Sequence, residues 1–157
     1  MRKYELKIVP GPNDKVNLKK MRDIHSETIG GLVTFRGIVI KTTESRPCVQ
    51  VVCYSCEACG YEAYQTVVSK EFMPLDECPT RRCVQNNVKG KLFIQVRGSK
   101  FVSQQEIKLQ EPSDQVPVGH VPRSINLLAL GSNTKQCSPG DIVTVTGVHM
   151  PTPYSGF

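Results

Sequence analysis

Two cysteine-rich segments, CYSCEAC at residues 53–59 and CPTRRC at residues 78–83, dominate the chemistry of this 157-residue chain. Cys56 and Cys59 are two residues apart, Cys78 and Cys83 are four apart, and 18 residues separate the pairs. This spacing is typical of two knuckles that donate four thiolates to one tetrahedral zinc ion. Four sulfur ligands leave no coordination position for water, so we predict one structural zinc per chain and no catalytic metal.

The sequence also allows other interpretations of the cysteines. Cys53 lies just before the first pair and would replace Cys56 if the knuckle were a C-x5-C with Cys59. A redox-active C-x-x-C is a further alternative, although it needs a βαβ context that the sequence does not show. An odd total of seven, mostly crowded into one part of the chain, does not fit a secreted disulfide framework. We interpret Cys48, Cys53 and Cys137 as small buried apolar residues.

Short segments of alternating apolar and polar residues surround the cysteine region. In Leu32–Lys41, Val33, Phe35 and Val39 share one face and Arg36 lies on the other, while Gly37 predicts a bend or bulge. The segment between the two cysteine pairs, YEAYQTVVSKEFMPLDE, favours a short hairpin. We predict strands at Tyr4–Val9, Leu32–Lys41, Val49–Cys53, Lys91–Val96, Glu106–Gln110, Ser124–Leu130 and Asp141–Met150, the last one after the turn Ser138–Asp141.

The order of these elements predicts the fold class. Only Lys19–Ile29 has a helical pattern, and residues 111–123 contain three prolines and a glycine, too many for a regular element. Many short strands without βα alternation favour a mainly β, OB-type antiparallel barrel. We predict that residues 1–53 and 90–157 form the barrel and that residues 54–89 form a zinc ribbon inserted between two of its strands.

Charge is unevenly distributed between these two parts. The chain has 20 Lys and Arg against 14 Asp and Glu, a formal net charge of +6. Residues 56–83 contain five acids and three bases, so they are formally −2, whereas the remainder contains 17 bases and nine acids and is formally +8. A phosphate backbone would be drawn to the barrel, and the ribbon is better suited to a protein contact or to rigid support. The alternative is that the surplus bases are simply a solvated surface.

Several classes of function have no support in the sequence. There is no G-x-x-x-x-G-K-[ST] loop for a nucleotide, no H-E-x-x-H, no G-x-S-x-G and no Cys/His pair of a nucleophilic enzyme. His25, His120 and His149 are scattered, and we interpret them as structural or surface residues. No apolar run approaches the roughly 20 residues of a membrane span, and the first residues, MRKYELKIVP, have no signal-peptide hydrophobic region. We therefore expect a soluble intracellular protein without catalysis of its own.

Specific strings then resemble a known family. Six segments carry the resemblance: GGLVTFRGIV (30–39), FMPLDECP (72–79), RGSKF (97–101), EIKLQE (106–111), DQVPVGHVPRS (114–124) and PGDIVTVTG (139–147). They are similar to the amino-terminal region of the minichromosome maintenance (MCM) family, the subunits of the replicative DNA helicase. The form DQVPVGHVPRS and the four-residue gap between Cys78 and Cys83 are most similar to the subfamily of the seventh eukaryotic subunit.

This resemblance implies a function. In the family, OB barrels form a collar round single- and double-stranded DNA, zinc ribbons meet across two head-to-head hexamers, and a separate motor domain binds ATP. The chain would then be a non-catalytic part of a nuclear helicase subunit that acts in a hetero-hexamer during replication licensing. Residues 148–157 would be the first limb of the pore hairpin. The resemblance implies Cys56, Cys59, Cys78 and Cys83 as zinc ligands, and the candidate DNA contacts are Arg36, Lys41, Arg46, Arg97, Lys100 and Lys108.

Two alternative functions compete with this interpretation. The chain would be a pure protein-interaction module if its positive charges were incidental to subunit assembly. An unrelated zinc-ribbon protein that binds nucleic acid would share the metal spacing and the positive charge, but it would not account for DQVPVGHVPRS.

Overall fold

A computed structural model describes residues 18–68, 72–85 and 90–152, and these residues are mainly β, as predicted. Within these ranges the elements are β1 (Leu18–Lys19), β2 (Leu32–Thr42), β3 (Arg46–Cys56), β4 (Glu62–Thr66), α1 (Arg81–Gln85), β5 (Leu92–Gln110), β6 (Ser124–Leu130) and β7 (Ile142–Val148), with four short 3₁₀ helices. In the described ranges, no helix has the length and apolar character needed to cross a membrane. The predicted strand Tyr4–Val9 and the end of the predicted hairpin limb, residues 153–157, lie outside them.

The chain forms two compact units, and each is described by itself. The barrel unit comprises residues 1–44, 105–129 and 135–157, and the cysteine unit comprises residues 45–104 and 130–134. The predicted ribbon, residues 54–89, lies inside the cysteine unit. Strand β5 contributes to both units: Leu92–Gln104 belongs to the cysteine unit and Gln105–Gln110 to the barrel unit.

Strand β2 organises the barrel unit. Along Leu32–Ile38 it pairs antiparallel with β7, and along Ile38–Thr42 it pairs antiparallel with the end of β5. Strand β6 also pairs with β5, and β1 pairs in parallel with β2. Alternate side chains of these strands point inward, as period-2 patterning requires. The buried core is formed by Met21, Val33, Phe35, Val39, Ile107, Leu109 and Ala129.

Gly37 does not form the predicted bend or bulge. It pairs regularly with Val143, and a Cβ at this position would lie 3.3 Å from the Leu109 Cβ and 3.4 Å from the Met21 Cε. A side chain at this position would therefore pack tightly against the core under the sheet. The irregularity lies three residues later, at Ile40, between the paired residues Val39 and Lys41.

The segment Lys19–Ile29, for which the sequence predicts two or three helical turns, does not form one continuous helix. The segment forms two 3₁₀ helices, Met21–Asp23 and Ser26–Thr28, after β1 pairs with Thr34 and Phe35 of β2. An isolated 11-residue helix is marginal in water, so tertiary contacts decide its conformation. Burial of Met21 in the core and the strand pairing of Lys19 hold this segment in short turns.

Residues 111–123 form a loop with one 3₁₀ turn at Ser113–Gln115, and an ion pair between the partly buried Arg22 and the buried Glu111 holds its start. The Arg22 Nε donates to both carboxylate oxygens of Glu111, at 2.9 and 3.1 Å, and the Arg123 backbone N–H donates to one of them at 3.3 Å. Burial raises the pKa of Glu111, but the hydrogen bonds and charges of Arg22 and Arg123 outweigh it, so the pKa lies below its usual range.

The turn before β7 forms as predicted. Gly140 has a φ of 98°, and the Asp141 N–H donates to the Ser138 carbonyl at 3.1 Å. A proline followed by a glycine with positive φ is the pattern of a type II turn. The Asp141 carboxylate accepts from the Ser138 N–H at 2.8 Å and closes the turn.

The cysteine unit is built on β3, which pairs antiparallel with β4 on one edge and with β5 on the other. Its buried core contains Val52, Tyr54, Cys56, Ala63, Cys78, Cys83 and Leu92. The predicted hairpin between the cysteine pairs contributes only one described strand, β4, whose partner is the preceding β3. The expected second limb contains Pro74, which lacks a ladder donor, and in its described part, residues 72–77, the pairing is an isolated bridge between Glu77 and Lys91.

Candidate metal centre and cation surface

Four sulfur atoms converge in the cysteine unit. The Sγ atoms of Cys56, Cys59, Cys78 and Cys83 all lie within 4.8 Å of one another. Cys56 and Cys83 are 3.9 Å apart, and Cys59 and Cys78 are 3.7 Å apart. A tetrahedral ion with Zn–S bonds of about 2.3 Å needs sulfur atoms about 3.8 Å apart. The residues therefore fit a four-thiolate zinc site, and all seven cysteines are free thiols.

The first knuckle is a tight turn at the end of β3. The Gly60 N–H donates to the Cys56 carbonyl at 2.9 Å, and the Cys56 N–H donates to the Tyr61 carbonyl at 2.9 Å. Gly60 has a φ of 69°, a left-handed conformation that glycine adopts without strain. The turn places Cys59 beside Cys56, with Cys56 buried and Cys59 partly exposed.

The second knuckle contains a short helix that the sequence analysis did not identify. The Cys78 N–H donates to the Gly90 carbonyl at 3.1 Å, and α1 begins at Arg81 and carries Cys83 in its first turn. The Cys83 N–H donates to the Thr80 carbonyl at 3.0 Å. One helical turn brings Cys83 back towards Cys78, and this accounts for the four-residue spacing.

Gly90 closes the back of the sulfur cluster. A Cβ at this position would lie 2.6 Å from the Cys56 Sγ, 3.0 Å from the Cys83 Sγ and 3.2 Å from the Cys78 Cβ. These distances are below van der Waals contact, so a larger residue would fit only if the sulfur atoms or the Gly90 backbone moved. No motif in the sequence identified this glycine, because its neighbours are distant in the chain.

The thiols differ in acidity before a metal binds. The backbone N–H of Tyr61 donates to the Cys59 sulfur and, together with the neighbouring thiols, lowers the pKa of Cys59 to about 6. Burial raises the pKa of Cys83 to about 12. A bound metal must therefore displace a proton from Cys83, so metal uptake releases protons and weakens as the pH falls.

Cys53 does not belong to this cluster. It lies three residues before Cys56 on the same strand, and an odd separation along a strand places two side chains on opposite faces. On its own face it packs under Gly98, where a Cβ would lie 2.8 Å from the Cys53 Sγ. Cys53 is buried, as predicted for a small apolar residue, while Cys48 and Cys137 are partly buried.

Three candidate DNA contacts lie in the barrel unit. Arg36, Lys41 and Lys108 are all exposed, whereas their strand neighbours Val39 and Leu109 are buried. Lys41 and Lys108 are direct partners across the β2–β5 ladder. Without the extra residue at Ile40, strict alternation would turn Lys41 to the same side as Val39. The bulge therefore places Lys41 on the outer face beside Lys108.

The other three candidates lie in the cysteine unit. Arg46 is exposed at the start of β3, and Arg97 and Lys100 are exposed on β5. The ladder skips from the pair Val51–Lys100 to the pair Cys53–Gln95, so residues 96–99 form a wide bulge that carries Arg97. The Ser99 hydroxyl holds this bulge: it accepts from the Cys53 N–H at 3.0 Å and donates to the Gln95 carbonyl at 2.7 Å.

Comparison with known proteins connects the fold to a family. The family described as the MCM OB domain matches residues 20–153. The DNA replication licensing factor mcm7 of Schizosaccharomyces pombe is 44% identical over 156 residues, which cover 99% of this chain and 20% of that protein. The protein of the same name from Xenopus tropicalis is 46% identical and aligns with 100% of this chain and 22% of its own length.

A plant relative extends the comparison. The DNA replication licensing factor MCM7 of Oryza sativa subsp. indica is 46% identical over 143 residues, which cover 91% of this chain and 20% of that protein. This chain spans about a fifth of the length of these curated relatives.

Proposed function

Because the chain belongs to the MCM OB domain family and matches relatives named MCM7, as its motifs predicted, we propose that it is a DNA-positioning and subunit-assembly domain of a replicative helicase subunit. It would act in licensing, initiation and fork unwinding in the nucleus. In this role DNA phosphates contact the candidate basic residues of both units: Arg36, Lys41, Lys108, Arg46, Arg97 and Lys100. The zinc ribbon and the barrel edges contact neighbouring subunits in a hetero-hexamer, and the ribbon also makes contacts across a head-to-head double hexamer.

The observation that carries the DNA part of this proposal is the placement of Lys41 directly opposite Lys108. Like charges at directly opposed positions of a sheet destabilise it, and a bulge is needed to bring Lys41 to this face. A polyanion that lies along the outer face offsets this repulsion. Arg36 continues the same face on β2, where its ladder partner is Thr144. These side chains fit a phosphate backbone, which sets position without reading sequence.

We also propose that Cys56, Cys59, Cys78 and Cys83 hold one structural zinc ion. The sulfur spacing fits a tetrahedral ion, and a four-thiolate zinc supplies folding energy without an open position for catalysis. The ion would cross-link the end of β3 to the helix α1. The cysteine unit then becomes a rigid support.

The cysteine unit as a whole contains eight bases and five acids, but one segment of it, residues 56–83, favours protein partners. Residues 56–83 are formally −2, and four thiolates around a zinc ion add a further −2. Met73 and Val84 are exposed apolar side chains on this unit, at 86% and 65% of their full accessibility. Exposed apolar residues in or beside the acidic segment 56–83 suit a contact with another protein better than a contact with phosphate. We propose that ATP hydrolysis belongs to the motor domain of the parent helicase, as the resemblance to the family implies; this sequence contains no G-x-x-x-x-G-K-[ST] loop.

Salt-dependent binding of single-stranded DNA tests the phosphate contacts. The full chain and the double variant Lys41→Ala with Lys108→Ala are titrated with a fluorescent oligonucleotide at several salt concentrations. Each phosphate contact contributes about 0.7 to the slope of log K against log salt for a single strand, so the double variant should lose about 1.4 from this slope.

A charge-matched control separates specific contacts from bulk charge. Lys20→Ala with Lys91→Ala removes two exposed positive charges elsewhere, and this variant should keep the slope of the unmodified chain. Equal slopes in both double variants would contradict the proposed contact face. Binding to adjacent subunits without any affinity for DNA would instead favour a domain that serves assembly alone.

A further inference from the structure

The hydroxyl of Thr80 lies against two of the four sulfur atoms. Its Oγ1 is 3.0 Å from the Cys78 Sγ and 3.8 Å from the Cys59 Sγ. The backbone of Thr80 is fixed at the start of α1, since its carbonyl accepts from the Cys83 N–H at 3.0 Å and from the Val84 N–H at 3.1 Å. The hydroxyl is therefore held beside the cluster by the same turn that positions the Cys83 ligand.

The direction of this hydrogen bond follows from the chemistry of the ligands. Cysteines that bind a divalent metal are thiolates, which have no proton and can only accept. The Thr80 hydroxyl must then donate its single proton, and the Cys78 sulfur is the nearer acceptor. Four thiolates on a divalent ion carry a net charge of −2, so each donor directed at sulfur offsets part of an uncompensated negative charge.

We propose that Thr80 is a positioning residue of the metal centre, whose hydroxyl orients the Cys78 thiolate and increases the affinity of the four cysteines for a tetrahedral divalent ion. This inference rests on the proposed zinc site. Outer-sphere partners of metal ligands typically contribute 10- to 100-fold in metal affinity, because they fix ligand orientation and tune ligand charge. The sequence pattern did not predict a role for Thr80, because the motif C-P-T-R-R-C identifies only its two cysteines as candidate ligands.

Zinc affinity of the full chain, measured by competition with a chromogenic chelator, tests this role. Thr80→Val keeps the shape of the side chain and removes the hydroxyl, so the zinc affinity should fall about 10- to 100-fold. Thr80→Ser keeps the hydroxyl and should bind zinc within about twofold of the unmodified chain. Thr66→Val makes the same chemical change at an exposed position of β4 and should leave the affinity unchanged.

Cobalt substitution gives a readout that a purely structural role would not change. Loss of a donor makes the Cys78 thiolate more electron-rich, so the sulfur-to-cobalt charge-transfer band should move to longer wavelength in Thr80→Val and stay in place in Thr80→Ser. If Thr80→Val does not fold, Thr80→Ala offers the same comparison without an added methyl group against sulfur. Equal affinity and an unmoved band in the hydroxyl-free variant would overturn the role of Thr80 alone. An unmodified chain that binds no zinc would overturn the metal site as well.

Discussion

A methyl group added at Gly90 should destabilise the metal-bound cysteine cluster much more than the metal-free one. It lies behind the four sulfur atoms, and the added Cβ of Gly90→Ala would be 2.6 Å from the Cys56 Sγ and 3.0 Å from the Cys83 Sγ. A free thiol can turn away from such a contact. A thiolate bonded to a metal cannot, since its position is fixed by the ion and its three partner ligands.

The expected size of the effect follows from this geometry. A contact of 2.6 Å is about 1 Å shorter than van der Waals separation, so either the backbone of Gly90 or a ligand must move. Overpacking of a well-packed core typically costs about 1–3 kcal/mol. Because the clash falls mainly on the metal-bound state, this cost reduces zinc affinity by about 5- to 160-fold. The Cys78 N–H bond to the Gly90 carbonyl should weaken with it, since the same backbone would shift.

Two measurements on the full chain check this prediction. Chelator competition gives the zinc affinity of Gly90→Ala, and thermal unfolding with and without zinc gives the stabilisation that the metal adds. Both should decrease, while unfolding in excess chelator should change much less. Gly147→Ala is the matched control: no atom lies within 4 Å of its added Cβ, so both measurements should resemble those of the unmodified chain. An unchanged zinc affinity in Gly90→Ala would refute the packing argument.

Two further predictions concern the ligand set and the ion pair between Arg22 and Glu111. Cys78→Ser should lower the zinc content from about one ion per chain to near zero by elemental analysis, and Cys137→Ser should retain the metal; full retention in Cys78→Ser would show that the ligands are wrongly assigned. Glu111→Gln should destabilise the chain by about 1.5–3 kcal/mol at neutral pH in denaturant unfolding, because Arg22 loses its charged acceptor. The folded-state pKa of Glu111 is lowered, so its stabilisation is complete above the unfolded value of about 4.3 and is lost as the pH falls through the folded value. A stability difference between the two chains that persists far below that pH would contradict this account.

Local patterns predicted much of this structure. Strand β6 has the predicted bounds, and Ile107 and Leu109 are buried while Lys108 is exposed, as alternation requires. The cysteines of each knuckle could be paired from the sequence because their spacing is a local property of a few residues, and the four sulfur atoms of the two knuckles lie within 4.8 Å of one another. The resemblance of the motifs predicted the family, which the comparison confirmed.

Features that depend on contacts between distant residues were not predictable in this way. The segments around Lys91–Val96 and Glu106–Gln110 were predicted as two strands, because Gly98 and Ser99 interrupt the alternating pattern. In the structure they form one strand, β5. The interruption is a bulge, held by a hydrogen bond between the Ser99 hydroxyl and the Cys53 backbone 46 residues earlier. A local sequence pattern carries no information about a hydrogen-bond partner this distant in the chain. The close approach of Gly90 to the sulfur cluster has the same origin.

The bulge at Ile40 is a further feature that the sequence pattern did not predict, and it determines which face of β2 Lys41 occupies. Without this bulge, the alternation of β2 would place Lys41 on the buried side together with Val39. A lysine there would be an unpaired buried charge. One extra residue reverses the alternation beyond Val39 and exposes Lys41 opposite Lys108. A barrel selected for stability alone has no use for two facing cations or for a bulge that creates them. A chain of phosphates on that face would offset the repulsion between the two lysines. The paired lysines therefore support DNA as the partner of the barrel unit more strongly than the total charge of +6 does.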